Sequence, residues 1–225
     1  MPEIEGVLFD LDGTLVDSER VHLDAWNRTL SEYGLDLPEG WNEEAVGIPD
    51  ILTAERIARR FPGMPGGAVL HERKQDLYRR LVRECGPGIA YPGVAERVRT
   101  LRDRGIGMAV GTNSGRENTE AALEAAGILG FFPVRVTYDS VANGKPDPEI
   151  YATAARLLGL PPDRCVVVED SVAGVTSGKA AGCLTLGVST TWTASVLADA
   201  DKVFADTPAA LDWVLERARK GAPHE

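Results

Sequence analysis

Val7-Leu8-Phe9-Asp10-Leu11-Asp12-Gly13-Thr14 is the stretch that decides the fold, because an apolar run delivers two carboxylates, one residue apart, into a turn. Residues 4–9 read as a short buried strand, and side chains that follow such a strand enter the crevice where open α/β sheets bind ligands. Asp10 and Asp12 then point the same way, and Gly13 permits a sharp turn and close approach of a ligand. The alternative is an ordinary turn rich in Asp and Gly.

Composition and charge limit the classes of function. The 225 residues suit one large domain, or a core domain with an insert. A hydrophobic content of 44% with 26% charged residues is typical of a soluble globular protein, and the net charge of -10 argues against nucleic acid as a partner. An anionic substrate would be repelled unless a metal ion, lysines or backbone N–H groups reverse the field at the site.

The cysteines and the apolar runs indicate the compartment. Cys85, Cys165 and Cys183 show neither metal-ligand spacing nor the even number of a disulfide framework, which favours a reducing, cytoplasmic setting. Cys165 and Cys183 adjoin apolar runs and are expected to be core residues. No signal-peptide pattern is present, and no apolar run approaches the roughly 18 residues that cross a bilayer. We expect no membrane partner, and a monomer or weak homodimer.

Strand-like and helical patterns alternate from residue 105 onward, which is typical of βαβ units and a parallel sheet. The fold class is therefore predicted to be α/β, with a Rossmann-like parallel sheet as its core. A closing helix is predicted over residues 208–219, with Thr207 as its N-cap and Pro208 in its first turn. The other predicted strands cover residues 106–111, 134–137, 165–168, 183–188 and 202–204, and the helices between them cover 117–126, 148–158 and 172–181.

The stretch between the first strand and this repeat has helical apolar spacing throughout. A helical insert of this length is too long for a crossover between two strands and predicts a separate cap. We therefore expect a catalytic core formed by residues 1–16 and 90–225 and a helical cap domain formed by residues 17–89. The connections near residues 15–17 and 88–92 are natural hinges for closing over a substrate.

Three further polar segments follow predicted strands. Gly111-Thr112-Asn113-Ser114-Gly115 precedes a helix and forms either an anion cradle or an ordinary capped turn. In Gly144-Lys145-Pro146-Asp147-Pro148, a restrained lysine supplies a fixed positive charge, although a lone lysine would first be read as solvated. Glu169-Asp170-Ser171 ends an apolar strand with paired carboxylates, which would repel each other unless a hard cation such as Mg²⁺ lies among them.

These segments closely resemble the four ordered motifs of the haloacid dehalogenase-like hydrolases. The resemblance covers essentially the whole chain, including the helical cap after the first strand that marks the phosphoglycolate phosphatase and β-phosphoglucomutase branch. The motifs are Asp10-Leu11-Asp12-Gly13-Thr14, Thr112-Asn113-Ser114, Lys145-Pro146 and Glu169-Asp170-Ser171-Val172-Ala173-Gly174.

The resemblance implies a two-step phosphoryl transfer. Asp10 would attack phosphorus and become an aspartyl phosphate, while Asp12 would protonate the leaving alkoxide and then deprotonate water. Thr112 and Lys145 would hold the transferring oxygens. The remaining assignments are Gly13, Asn113 and Ser114 to substrate binding, and the Asp10 side chain, the Asp12 carbonyl, Asp170 and Glu169 to Mg²⁺, with Glu169 a ligand or a neighbour of one.

The cap sequence bears on the choice between phosphatase and mutase. His22 lies in register with the β-phosphoglucomutase pattern. It either contacts substrate or is a generic histidine of the surface or of the cap interface. Lys74 falls where that family has a cap lysine, and is expected to face solvent unless cap closure brings it inward. In Gly47-Ile48-Pro49-Asp50, an acid stands where the mutases carry an arginine for the distal phosphate, so a bisphosphate would be repelled.

We therefore expect a Mg²⁺-dependent phosphatase acting on a small phosphorylated metabolite, either a sugar phosphate or a phosphoglycolate-like acid. The presence of Asp12 favours phosphate esters, because the dehalogenases of the family lack this acid. A β-phosphoglucomutase-like sugar phosphomutase is the alternative. A non-catalytic binding or regulatory protein on the same fold is a third hypothesis. Trp41 and Trp192 could line the cap interface, pack in a core or meet a partner.

Overall fold

The computed structural model describes residues 3–36 and 48–218, and from residue 105 onward its strands and helices follow one another in the predicted order. Trp41 and Gly47 lie outside the described residues. The strands are β1 (Gly6–Phe9), β2 (Gly107–Gly111), β3 (Val134–Val136), β4 (Cys165–Glu169), β5 (Leu184–Val188) and β6 (Lys202–Phe204), and the helices are α1 (Glu19–Ser31), α2 (Asp50–Arg60), α3 (Gly67–Cys85), α4 (Val94–Asp103), α5 (Arg116–Ala125), α6 (Glu149–Leu157), α7 (Val172–Ala180) and α8 (Thr207–Arg217).

The strands form one parallel sheet in the order β3-β2-β1-β4-β5-β6. This confirms the predicted α/β fold class. The chain runs outward from β1 to β2 and β3, and then returns to place β4 on the other side of β1. The strand order thus reverses between the neighbouring strands β1 and β4, and open α/β sheets bind their ligands at the carboxyl end of such a position.

Several predicted boundaries differ from the structure by one or two residues, among them the start of the first strand and the N-cap of the last helix. The first strand begins at Gly6, and Ile4 forms only an isolated bridge with Ala218. Thr207 is not the N-cap of α8, because the side chain of Asp206 accepts the N–H of Ala209 at 2.8 Å. The Thr207 hydroxyl instead donates to the backbone carbonyl of Thr14 at 2.6 Å, which ties α8 to the loop after β1.

The sheet is covered on both faces by helices. Alternate residues of β1 divide between the faces, so that Val7 and Phe9 pack in a cluster with α4, α5 and α8, whereas Leu8 packs in a cluster with α6. Cys165 and Cys183 are buried, as expected from the sequence, and burial raises their thiol pKa values to about 11 and about 12.

The helices between β1 and β2 have a small core of their own, formed by Trp26, Leu30, Ala54, Ile57 and Leu70. The C-terminal half of α3 instead packs with the main cluster of the sheet. The two chain connections of this helical segment lie side by side, since Val16 forms an antiparallel bridge with Ala90 and the N–H of Asp17 donates to the carbonyl of Ile89 at 2.8 Å. The domain boundaries at 16/17 and 89/90 stay a prediction.

Within the described residues, no helix combines the length and the apolar character needed to cross a membrane. Trp192 is half-buried in the loop after β5.

Candidate active site

The segments that follow β1, β2, β3 and β4 bring most of the predicted site residues together. Phe9, the last residue of β1, is in register with Val110 on one side and Val168 on the other. The residues that follow these positions therefore emerge at one edge of the sheet. Asp10, Asp12, Thr112, Asn113, Ser114, Lys145 and Asp170 all line one pocket there, together with Glu19, His22, Leu23, Trp26, Ile48, Asp50, Thr53 and Ser171.

Lys145 is the cation at the base of this pocket. Its ammonium group donates to Asp10 and, at 2.6 Å, to Glu169, and it is almost completely buried between them. Burial lowers the pKa of Lys145, but the two carboxylates outweigh burial and raise it above its ordinary value. The lysine is therefore a permanent positive charge directed at Asp10.

Glu169 holds Lys145 from below. One of its oxygens accepts from Lys145 and, at 2.9 Å, from the hydroxyl of Tyr151, while the other accepts the N–H and hydroxyl of Ser171, each at 2.9 Å. The side chain is fully buried. Its close contact with helix α7 requires glycine at position 174, where a Cβ atom would lie 1.7 Å from the Glu169 oxygen. The occupied oxygens indicate that Glu169 mainly positions Lys145.

Asp12 lies opposite, at the junction of core and cap. Its carboxylate accepts from the hydroxyls of Ser18 and Ser114, the latter at 2.6 Å, and lies 3.3 Å from Nε2 of His22. Burial raises the pKa of Asp12, but His22 and the two hydroxyls have the larger combined effect and hold that pKa below its ordinary value. Asp12 is therefore charged in this arrangement.

The loop after β2 supplies hydroxyl groups to the pocket and is hydrogen-bonded to the loop that carries Lys145. The Thr112 side chain is buried and accepts the N–H of Ser114 at 3.0 Å, which shapes the turn before α5. The side-chain amide of Asn113 forms two hydrogen bonds with the main chain of Lys145, accepting its N–H and donating to its carbonyl. Thr112 and Ser114 thus present polar groups to the pocket, while Asn113 fixes the loop that carries the lysine.

An acidic cluster at the end of β1 and β4 is suited to a metal ion. Ligand atoms of Asp10, Glu169 and Asp170 lie within 4.8 Å of one another. Burial, and then repulsion from Glu169, raises the pKa of Asp170 well above its ordinary value. Burial likewise raises the pKa of Asp10. Lys145 lowers this pKa, whereas the charges of Glu169 and Asp170 raise it further, so that it lies well above its ordinary value. A cation placed among these carboxylates would stabilise their charged forms, and carboxylate oxygens are the ligands that Mg²⁺ prefers.

Gly13 allows this cluster to form. It has φ of +80°, and a Cβ atom there would lie 2.1 Å from an oxygen of Asp170. The neighbouring Thr14 hydroxyl donates to the other Asp170 oxygen at 3.2 Å. Gly13 therefore acts through its missing side chain, which leaves the space that Asp170 occupies.

The cap side of the pocket corrects one expectation. Lys74 was expected to face solvent, but it is fully buried. Its ammonium group donates to Asp50 and to Nδ1 of His22, each at 2.5 Å, and lies 5.0 Å from the ring centre of Tyr78. A buried ammonium group needs such partners, which spacing along α3 does not disclose. Because Nδ1 accepts from Lys74, Nε2 of a neutral His22 carries the proton that faces Asp12.

Sequence reasoning missed several residues of the site. Tyr151, Ser18 and Tyr78 are fully buried and touch Glu169 or Asp12. The position of Ser18 at the start of the helical segment could have pointed to Asp12. Tyr151 lies on α6, and its helical spacing alone is typical of an ordinary core residue. The Lys145–Pro146 peptide bond is cis.

Comparisons with known proteins agree with this geometry. A family model described as haloacid dehalogenase-like hydrolase matches residues 4–182. The chain is 32% identical over 199 residues to validoxylamine A 7'-phosphate phosphatase of Streptomyces hygroscopicus subsp. limoneus, covering 88% of this chain and 92% of that protein.

Two further similarities involve a mutase and a solved structure. The chain is 28% identical over 191 residues to β-phosphoglucomutase of Bacillus subtilis (strain 168), covering 82% of this chain and 83% of that protein. It is also similar to the crystal structure of CbbY from Rhodobacter sphaeroides in complex with xylulose-(1,5)bisphosphate, with a TM-score of 0.82, 32% identity, and coverage of 91% of this chain and 95% of the other.

Proposed function

Because this chain belongs to the haloacid dehalogenase-like hydrolases, we propose that it is a Mg²⁺-dependent phosphatase that transfers the phosphoryl group of a small phosphorylated metabolite to Asp10 and then to water. Its class, phosphoric monoester hydrolase, follows from the family and from relatives that are named phosphatases. The observation that carries the proposal is the buried contact of Asp10 with Lys145 at the base of the pocket.

In the first step, an oxygen of Asp10 attacks phosphorus and the ester P–O bond breaks. The leaving alkoxide takes a proton from Asp12, which must therefore be protonated once the ester is bound, although its lowered pKa keeps it charged before binding. In the second step, water attacks the same phosphorus, Asp12 accepts a proton from that water, and the acyl phosphate bond breaks to release phosphate and restore Asp10. The low pKa of Asp12 in this arrangement suits the second step, because a charged carboxylate is the form that accepts a proton.

Electrostatic stabilisation of the transferring phosphoryl group comes from fixed donors. Lys145 supplies a positive charge that Glu169 and Tyr151 hold in place. Thr112 and Ser114, whose hydroxyls can donate, line the same pocket. Donors fixed before the reaction cost no reorganisation when negative charge develops on the phosphoryl oxygens, and such terms dominate phosphoryl transfer.

Mg²⁺ fits the acidic cluster. Asp10 and Asp170 would hold it through their side chains, with the backbone carbonyl of Asp12, and it would neutralise charge on the phosphate. Glu169 is the weaker candidate for a ligand, because both of its oxygens already accept hydrogen bonds. The raised pKa values of Asp10 and Asp170 support the fit, since they mark buried negative charge that lacks compensation.

Sugar phosphomutase activity is a second candidate, favoured by the similarity to the Bacillus subtilis β-phosphoglucomutase. A mutase must hold a bisphosphate intermediate, with one phosphate at each end of the pocket. The cap end here carries Asp50 and Glu19, which oppose a second phosphate. Hydrolysis is therefore preferred over transfer to a second hydroxyl. A non-catalytic binding protein would not need the buried Asp10–Lys145 contact.

Phosphorus NMR of the protein with Mg²⁺ and a panel of phosphorylated metabolites, including β-glucose 1-phosphate, tests the proposal. We expect free phosphate from one or a few esters, and none with Asp10→Asn. Asp163→Asn, which removes a carboxylate outside the pocket, should match the unmodified protein. Isomerisation without net phosphate release would make the protein a mutase, and turnover by Asp10→Asn would refute the role of Asp10.

A further inference from the structure

The cap end of the pocket is acidic. Asp50 and Glu19 both line it, beside the apolar side chains of Leu23, Trp26 and Ile48. Asp50 is held in place, because one oxygen accepts from Lys74 at 2.5 Å and the other accepts from the indole N–H of Trp26 at 3.2 Å. Its side chain keeps 15% of its surface exposed, so a carboxylate edge remains available to a ligand.

Lys74 cannot supply a free positive charge at this end. Its side chain is 0% exposed and lies behind Asp50, between the rings of Trp26 and Tyr78. Its ammonium group is already bonded to Asp50 and His22. A ligand entering the pocket therefore meets the carboxylate of the pair and not its ammonium group.

The other charged groups of the pocket do not offset the negative charge at its cap end. Among the pocket-lining residues that the structure describes, Lys145 is the lysine, no arginine is present, and Lys145 is bonded to Asp10 and Glu169 at the far end. His22 faces Asp12. A second anionic group on a ligand would find no partner among the described residues.

We propose that Asp50, held in the pocket wall by Lys74 and Trp26, is a specificity-determining residue that restricts the substrate to esters with one phosphate and no second anionic group. The end of the substrate distant from the phosphate carries hydroxyl or amine donors, which the carboxylates of Asp50 and Glu19 accept. Polyhydroxylated monophosphates fit this description, whereas bisphosphates and phosphorylated acids of the phosphoglycolate type do not. The inference rests on the proposed function and narrows its substrate class.

Binding measurements separate this inference from the proposed function. The protein would be Asp10→Asn with Mg²⁺, so that no ligand turns over, and isothermal titration calorimetry would give Kd for matched pairs: glucose 6-phosphate and glucose 1,6-bisphosphate, fructose 6-phosphate and fructose 1,6-bisphosphate, and ribulose 5-phosphate and ribulose 1,5-bisphosphate. We expect the monophosphate to bind at least about tenfold more tightly in each pair that binds, with the preference reduced by added KCl.

Substitutions at the pair then identify the residue responsible. In the Asp10→Asn protein, a second substitution, Asp50→Asn, leaves Lys74 without its carboxylate and should reduce or reverse the preference for monophosphates. Asp50→Glu should retain that preference. Adding Lys74→Met to Asp50→Asn should remove any gain in bisphosphate binding that Asp50→Asn produces. Glu55→Gln, an exposed site on the same helix, makes the same change in net charge and should leave the preference unchanged. Circular dichroism checks the fold of each variant.

The outcomes are distinct. Equal or tighter binding of bisphosphates by the protein with Asp50 intact overturns the inference, as does a preference that Asp50→Asn leaves unaltered or a failure to bind any of the monophosphates. Hydrolysis is assayed separately, with acetyl phosphate and the protein that retains Asp10. Loss of that activity would count against the phosphatase while leaving the charge preference of the pocket intact.

Discussion

Asn113 clamps the main chain of Lys145: its side-chain oxygen accepts the Lys145 N–H at 2.9 Å, and its amide nitrogen donates to the Lys145 carbonyl at 3.3 Å. The loop after β2 thereby fixes the loop after β3. A Cβ atom on Gly144 would lie 2.6 Å from the same Asn113 oxygen, so the approach is tight. The position of the ammonium group beside Asp10 thus depends on a side chain one loop away.

Asn113→Ala should lower kcat by about 10- to 100-fold, because a lysine displaced by about 1 Å loses much of its effect on the phosphoryl group. A loss confined to substrate contact would instead raise KM and leave kcat unchanged. Steady-state kinetics with the ester identified by NMR distinguishes these results. Asn143→Ala, an exposed asparagine in the Lys145 loop, is the control and should stay within about twofold of the unmodified protein.

Gly174→Ala should destabilise the protein by more than about 3 kcal/mol and remove most activity, because the new methyl group would occupy the position of Glu169. Moving Glu169 also releases Lys145. Urea unfolding gives the free energy of unfolding. Gly130→Ala is the control, since nothing lies within 4 Å of its added Cβ. Normal stability and kcat in Gly174→Ala would show that Glu169 does not hold Lys145 in solution.

Gln75→Ala should destabilise the protein by about 1–3 kcal/mol, because it leaves a buried donor without an acceptor. The side-chain oxygen of Gln75, on α3, accepts from the amide of Asn118, on α5, at 2.6 Å. This contact joins the helical segment to α5, a helix that packs on the sheet, so KM should rise as well. Thermal unfolding and kinetics measure both effects, with the exposed Glu72→Ala on α3 as control. Unchanged Tm and KM would mean that the contact contributes nothing.

Stabilisation by Mg²⁺ should increase with pH. In the metal-free protein the pKa values of Asp10 and Asp170 are raised, mainly by burial, so the folded state binds more protons than the unfolded state and stability falls as pH rises above about 4. Mg²⁺ removes this penalty by pairing with the charged forms. The gain in Tm on adding saturating Mg²⁺ should therefore be larger at pH 8 than at pH 5. Asp170→Asn should show a smaller gain, and a gain independent of pH would contradict the metal assignment.

The sheet was predictable because its strands are short apolar runs that end in polar turns. Each predicted strand after residue 105 overlaps an observed one. Most of the site residues predicted just after strand ends line one pocket, whereas Gly13 and Glu169 are not among its lining residues. Helix α4 was not predicted, although Val94, Val98 and Leu101 have helical spacing and are buried. In α3, Val69 is 53% exposed, whereas the adjacent Leu70 is buried, although both are apolar. A shift of one residue turns a side chain by about 100° around a helix.

Contacts between distant segments were not predictable from spacing. Burial of Lys74 depends on Asp50 and His22, which belong to two other helices or their ends. The hydrogen bond from Tyr151 to Glu169 likewise joins α6 to the end of β4. Local patterns specify which face of an element is apolar, but not which polar group a buried charge will meet.

The bridge between Val16 and Ala90 gives the helical segment a single point of entry and exit. Because both connections meet there, a change in the length of the segment need not alter the register of β1 against β2. Insertions and exchanges within the helices can therefore accumulate without disturbing Asp10 or Lys145. Such an attachment allows the helical segment to change during evolution, and with it the substrate that is recognised, while the residues that carry out the reaction stay the same.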